Sequence, residues 1–81
     1  MSSKVLTAKA SPVDRIKQEL CAHFVQYRLQ EGLSQRDLAR TLGVSESRVS
    51  EIVHYHHSRF TIDKLVELLY IIKPKLKIKV A

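Results

Sequence analysis

The chain is 81 residues long, carries a formal net charge of +6 and contains a single cysteine. This length allows one small domain with a modest core, and it favours a dimer as a way to bury more apolar surface. The sequence has no apolar run of about 18 residues that would span a membrane, and residues 1–12 lack the apolar segment of a signal peptide. Because Cys21 has no partner for an internal disulfide, we expect a reducing, cytoplasmic location.

The positive charge is concentrated at the two ends of the chain. Residues 1–10 contain two lysines and residues 73–81 contain four, whereas residues 11–72 contain eight basic and eight acidic side chains. Attraction to a polyanion such as nucleic acid must therefore come from the ends, or from arginines that cluster on one face. We expect residues 1–10 to form a flexible basic arm, and the alternative is a passive solvated tail.

The first predicted helix begins at Ser11 and Pro12, a hydroxyl N-cap followed by a proline in the first turn. Asp14 complements the positive end of the helix dipole. Gly32 ends the helix. Apolar residues recur at the three- and four-residue spacing of a helix with one face on a core, and they are Val13, Ile16, Leu20, Phe24 and Tyr27.

Residues 35–54, QRDLARTLGVSESRVSEIVH, have the pattern of two short helices joined by a tight turn. Ala39 provides the small side chain that two crossing helices need, and Gly43 adopts a positive φ without a Cβ clash. The residues at inward positions are Leu38, Leu42, Val44, Val49 and Ile52. The pattern predicts a helix-turn-helix whose second helix, residues 46–54, lies in the DNA major groove. The alternative is a pair of amphipathic helices without that role.

Hydroxyl residues are placed to cap both helices of this unit. Ser34 precedes the helix that begins at Gln35, and Asp37 three residues later completes a capping box. Ser45 precedes the second helix. The N-terminus of the helix that begins at Gln35 would point its backbone N–H groups at a phosphate. Predicted phosphate-contacting residues are Ser34, Gln35, Arg36, Arg40, His54 and Arg59, although each arginine alone is equally an ordinary surface residue.

The exposed side of the helix at residues 46–54 offers side chains that read base edges. Arginine reaches guanine, glutamate accepts from the cytosine amino group, and serine bonds to several bases. Because carboxylates near phosphates are costly, Glu46 and Glu51 either read bases or hold Arg48, which lies three residues before Glu51. The predicted base-reading residues are Glu46, Ser47, Arg48, Ser50 and Glu51, and the alternative for each is a solvated polar surface.

Three histidines lie close together after this helix, at positions 54, 56 and 57. A structural zinc site needs four ligands that commonly include cysteine, and Cys21 has the spacing of a core residue on another helix. We therefore predict no metal and no cofactor, and we expect these histidines to lie near the DNA backbone. The sequence offers no nucleophile–base pair, glycine-rich phosphate loop or paired carboxylates, so we do not expect an enzyme.

After a loop at residues 54–60, Thr61 caps a fourth helix, which Pro74 terminates. This helix is apolar on two sides and therefore needs cover on both, which a second copy of the chain would supply. Residues 75–80, KLKIKV, alternate as a β-strand does, and this strand either pairs across a dimer or is a disordered tail. Predicted dimer contacts are Val66, Leu69, Tyr70, Leu76, Ile78 and Val80.

The segment LSQRDLARTLGVSESRVSEI, residues 33–52, resembles the helix-turn-helix of the XRE family, the phage repressor and Cro type. The resemblance spans about residues 13–72. It implies an all-α, lambda-repressor-like bundle of four or five helices in residues 11–72, which forms a homodimer on a palindromic DNA operator. By this resemblance Gln35 matches a glutamine that contacts phosphate and base edges, and residues 46, 47, 50 and 51 match base-reading positions.

The C-terminal sequence RFTIDKLVELLYIIKPKLKIKV is similar to a subgroup in which a lysine-rich strand follows the fourth helix. That subgroup includes HigA-type antitoxins, which are encoded beside RelE-like ribonuclease toxins, and stand-alone regulators. The predicted function is therefore a dimeric transcriptional repressor. One alternative is an antitoxin of a type II cassette that neutralises a RelE-like toxin and autoregulates its operon, and another is an RNA-binding or scaffold module. The loop HYHH departs from the basic, glycine-containing loop that relatives often have.

Overall fold

A computed structural model describes residues 11–75, and within them the chain forms four α-helices. The helices are α1 (Pro12–Glu31), α2 (Gln35–Leu42), α3 (Glu46–Val53) and α4 (Ile62–Ile72). Both α1 and α2 pack against α3 and α4. The described part is all-α, as predicted, whereas the predicted arm at residues 1–10 and the strand residues 76–80 lie outside the described residues.

The helix ends are set by the predicted local hydrogen bonds. At the start of α1, Ser11 Oγ accepts from the Asp14 N–H at 3.1 Å. At its end, Gly32 has a φ of 64°. At the start of α4, Thr61 Oγ1 accepts from the Lys64 N–H at 3.0 Å. Each such N-cap stabilises its helix by about 1 kcal/mol.

The core is one apolar cluster to which all four helices and the loop before α4 contribute. Its buried residues are Leu20, Cys21, Phe24, Leu38, Ala39, Leu42, Val49, Ile52, Phe60, Leu65, Leu68 and Leu69. Burial raises the pKa of the Cys21 thiol to about 11, against a smaller opposing effect of Lys17. This cysteine is therefore a neutral core residue.

The outer side of α4 differs in part from the predicted dimer contacts. Leu69 is fully buried in the core of its own chain, so its side chain does not reach the outer surface of this helix. Val66 is partly buried, whereas Tyr70 and Ile71 are 40% and 50% exposed. The helix is thus covered by its own chain on one side and open at Tyr70 and Ile71. No helix among residues 11–75 is both long and apolar enough to cross a membrane.

Candidate nucleic-acid interface

The turn between α2 and α3 has the predicted geometry. Gly43 has a φ of 73°, and its N–H donates to the Ala39 carbonyl at 2.8 Å. The Val44 N–H donates to the same carbonyl at 3.1 Å. The side chain of Ala39 is buried, as expected where two helices meet closely. The structure therefore confirms the helix-turn-helix arrangement of residues 35–53.

A capping box fixes the N-terminus of α2. Ser34 Oγ accepts from the Asp37 N–H at 3.0 Å, and Asp37 Oδ2 accepts from the Ser34 N–H at 3.2 Å. These bonds hold the pKa of Asp37 below its usual value, and the charges of Arg40 and Arg36 lower it further. The first amides of α2, at Gln35 and Arg36, precede the intrahelical ladder and are the groups that a helix terminus offers to an anion.

The N-terminus of α3 is fixed in a simpler way. Ser45 Oγ accepts from the Arg48 N–H at 3.2 Å, as expected of an N-cap. The first residues of α3, Glu46 and Ser47, are exposed. Across the helix from Ser47, Val49 and Ile52 are fully buried. The helix thus turns a polar face away from the core.

The predicted base-reading residues are not equally accessible on this face. At about 100° of rotation per residue, Ser47, Ser50 and Glu51 lie on the side away from the buried Val49 and Ile52, whereas Glu46 and Arg48 lie on the two flanks. Glu46 and Ser47 are exposed, and Ser50, Arg48 and Glu51 are half-buried. Ser47 is therefore near the centre of the open face.

Arg48 is held on its flank by two neighbours. Its Nη1 lies 2.8 Å from Glu51 Oε1, and its guanidinium carbon lies 5.9 Å from the centre of the Phe60 ring. Glu51 Oε2 also lies 3.9 Å from Nε of Arg59. Glu51 therefore joins the helix to the following loop, which agrees with the expectation that a glutamate holds Arg48.

The second glutamate of α3 forms a different kind of ion pair. Glu46 Oε2 lies 3.4 Å from Nε of Arg36 on α2, and the two side chains are 59% and 73% exposed. This pair joins the first turns of the two helices. Arg40 is also exposed on α2. Arg36 and Arg40, both predicted phosphate contacts, are therefore on the surface, but Arg36 already has a carboxylate partner.

His54 is fixed at the C-terminus of α3. Its Nδ1 lies 2.8 Å from the carbonyl oxygen of Ser50 and 3.3 Å from the Ser50 hydroxyl. Because a carbonyl oxygen only accepts, this contact requires the proton on Nδ1, which leaves Nε2 as the acceptor in the neutral ring. The ring centre of His56 lies 6.2 Å away. Within residues 11–75, no three histidine, cysteine or acidic side chains come together as metal ligands.

Helix α3 ends in a Schellman motif without a glycine. Tyr55 has a φ of 62°, and its N–H donates to the Ile52 carbonyl at 3.1 Å. The His56 N–H donates to the Glu51 carbonyl at 2.7 Å. These are the two bonds of the motif, in which glycine is the usual left-handed residue. A residue with a Cβ adopts this conformation at a cost of roughly 1–2 kcal/mol.

Phe60 anchors the other end of this loop. Its side chain is buried in the core, and its N–H donates to the His57 carbonyl at 3.0 Å. The sequence predicts a loop at residues 54–60, but this prediction includes neither the burial of Phe60 nor the positive φ of Tyr55. The available signals were the lone phenylalanine in a polar segment and the lack of glycine after a helix.

A family model described as a helix-turn-helix domain matches residues 6–81, nearly the whole chain. Neither the curated proteins nor the solved structures give a significant match. The family match supports DNA binding and a role in transcription regulation. It agrees with the geometry of α2 and α3, in which the exposed polar face of α3 lies beside the capped N-terminus of α2.

Proposed function

Because this chain belongs to the helix-turn-helix domain family, we propose that it is a sequence-specific transcriptional repressor that places α3 in the major groove of duplex DNA. The observation that carries the proposal is the polar face of α3. Glu46 and Ser47 are exposed, and the buried Val49 and Ile52 fix the rotation of the helix so that this face points outward. No catalytic step is part of the proposal.

Contacts with the phosphate backbone would come from the neighbouring elements. The capped N-terminus of α2 brings the amides of Gln35 and Arg36 to the same side as the start of α3, since Arg36 contacts Glu46 there. Arg40 and Arg59 would add charge on either flank, and both are exposed. Such contacts set the register on DNA, while the face of α3 supplies the sequence information.

We further propose that the repressor is a homodimer of the XRE type on a palindromic operator. Val66 and Tyr70 are four residues apart and so share one stripe of α4, beside the exposed Ile71. A two-fold axis through this stripe would set two copies of α3 about 34 Å apart, one turn of duplex, and would require an inverted repeat.

An antitoxin is the second candidate function, and the same stripe motivates it. An exposed tyrosine beside an exposed isoleucine suits a protein partner, which in this case would be a RelE-like ribonuclease toxin. The two functions differ in what covers α4 in the absence of other proteins. A repressor dimer is already paired before it meets DNA, whereas an antitoxin would leave the stripe open for the toxin.

Selection from a random duplex DNA library, followed by sedimentation of the protein with a selected duplex, tests the proposal. We expect an inverted repeat and two chains per duplex. A single half-site bound by a monomeric chain at micromolar concentration would overturn the dimeric repressor and favour the antitoxin. Equal affinity for the selected duplex, its scrambled version and duplex RNA would overturn sequence-specific DNA binding altogether.

A pair of variants then assigns the binding to the face of α3. Ser47→Glu adds a negative charge at the centre of that face, and we expect it to weaken binding of the selected duplex by about 1–3 kcal/mol or more, the value of one base contact. Gln26→Glu makes the same charge change on the outer side of α1, two residues from the buried Phe24. An equal loss of affinity in both variants would contradict the role of α3.

A further inference from the structure

The two glutamates of α3 hold arginines in different ways. Glu51 is 25% exposed in its side chain and bonds Arg48 at 2.8 Å, while Arg48 also lies over the Phe60 ring. This carboxylate is committed to the packing of the loop. The Glu46 and Arg36 side chains are 59% and 73% exposed and 3.4 Å apart, so water competes for both partners. Such an exposed pair is weak and opens easily.

The position of the weak pair matters because both residues lie in first turns. Arg36 is the second residue of α2 and Glu46 is the first residue of α3. In the proposed complex these turns meet the DNA backbone and the edge of the major groove. The Arg36–Glu46 pair is a single, exposed contact of 3.4 Å, whereas a guanidinium can bind a phosphate through two short, charge-assisted bonds, so DNA would draw Arg36 away from its carboxylate.

Once released, the carboxylate of Glu46 stands beside a negatively charged backbone. That position is unfavourable unless the carboxylate accepts a hydrogen bond from a base, and the cytosine amino group is the donor that glutamate recognises in the major groove. A sequence without cytosine at that place would leave the charge unpaired. The penalty on wrong sequences then provides selectivity, rather than added attraction to the right one.

We propose that Glu46 is a specificity-determining residue that exchanges Arg36 for a cytosine amino group when the operator binds, while Arg36 moves to a phosphate. This inference rests on the proposed function. The charge of the unit supports it, because residues 35–53 contain three arginines and three carboxylates and therefore attract DNA little by charge alone. Such a unit gains most from a contact that distinguishes sequences.

The test compares Glu46→Gln with Glu67→Gln. Glu67 is a matched control because its side chain is 71% exposed and pairs with Lys64 at 3.2 Å on α4. Both variants remove one carboxylate from an exposed ion pair. For each protein, affinity is measured for the duplex selected by the wild-type chain and for a scrambled duplex, and the selection is repeated with the variant.

We expect Glu46→Gln to bind the scrambled duplex more tightly and to lower the ratio of selected to scrambled affinity by about fivefold or more. When the DNA selection is repeated with Glu46→Gln, the selected sequences should no longer prefer cytosine at one position of each half-site. Glu67→Gln should keep both the ratio and the selected sequence. Arg36→Gln should keep the cytosine preference and lower the slope of log affinity against log salt by about 0.9 for each phosphate that the variant no longer neutralises.

Two failures are distinguishable. If Glu46→Gln selects the same sequence with the wild-type ratio, or if both glutamine variants change the ratio equally, the inference is wrong and the proposed function stands. If the wild-type chain shows no preference between duplexes, the proposed function itself is wrong. Thermal unfolding by circular dichroism, expected to be unchanged for these exposed substitutions, excludes loss of folding as the cause.

Discussion

The turns at the two ends of α3 contain the same left-handed backbone conformation, but a glycine adopts it at one end and a tyrosine at the other. Gly43, in the turn before α3, and Tyr55, just after α3, have φ values of 73° and 62°. Glycine adopts this conformation freely, whereas a tyrosine is strained in it. The turn before α3 is therefore stable on local grounds, and the turn after α3 depends on contacts made elsewhere.

Those contacts lie on both sides of the loop. Phe60 is buried in the core, and its ring lies against Arg48. The carboxylate of Glu51 forms ion pairs with Arg59 in the loop and with Arg48 on α3. Since the Glu51–Arg59 pair is long and its arginine is exposed, it adds little, and we expect burial of the Phe60 ring to be the largest contribution to the stability of this loop.

The largest loss of stability in this region is expected from Phe60→Ala. Removing a buried phenyl ring should destabilise the fold by about 3–5 kcal/mol, because the variant gives up both burial and packing. Urea unfolding followed by circular dichroism measures this change. Ser58→Ala, an exposed change in the same loop, should stay within about 0.5 kcal/mol. If the two variants were equally stable, the loop would be held by something other than Phe60.

Substitutions at Gly43 and Tyr55 test the cost of the left-handed conformation at each of the two turns. Gly43→Ala should destabilise the fold by about 1–2 kcal/mol, and the cost is conformational because, apart from the adjoining residues of the chain, nothing lies within 4 Å of the added Cβ. Tyr55→Gly should instead stabilise it by up to about 1 kcal/mol, since the relief of strain exceeds the extra freedom of glycine in the unfolded chain.

Urea unfolding of these variants also provides the control. Gly32→Ala places a Cβ at a φ of 64° with no neighbour within 4 Å, so it should match Gly43→Ala. A loss of stability in Tyr55→Gly would mean that the tyrosine ring contributes more through its contacts than its backbone costs. The ring would then belong with Phe60 as a support of the loop.

A weaker dependence of stability on pH is expected from the capping box of α2. Because the pKa of Asp37 is lowered in the folded state, chiefly by its bonds with Ser34, the carboxylate contributes stability above its ordinary pKa. That contribution is lost as pH falls below about 4 and through the lower folded value. Asp37→Asn should remove this part of the pH dependence, so its stability deficit should shrink in acid.

Thermal unfolding from neutral pH into acid measures this dependence. Asp63→Asn is the matched control, because Asp63 also lies in a first turn but its helix has Lys64 where α2 has Asp37, so no capping box forms. We expect a smaller change with pH in the control. Equal pH dependence in both variants would assign the effect to the helix dipole rather than to the bonds with Ser34.

Much of the candidate site was predictable because its helix ends depend on short-range chemistry. The four N-caps predicted at Ser11, Ser34, Ser45 and Thr61 are confirmed, and each joins a hydroxyl to an amide three residues later. The same holds for Arg48 and Glu51, which lie one turn apart on one helix. The predicted roles of these residues on DNA, and of the strand at 75–80, stay predictions.

The remaining features depend on how the helices cross. Local sequence is enough to predict which segments become helices, where they start and end, and which faces are apolar, since these follow from periodicity and from bonds spanning three or four residues. The fold in three dimensions was needed to show that Glu46 pairs with Arg36 ten residues away, that Leu69 faces the core, and that Phe60 is buried beside Arg48. Those contacts join separate elements, and local patterns do not encode the angle and rotation at which elements meet.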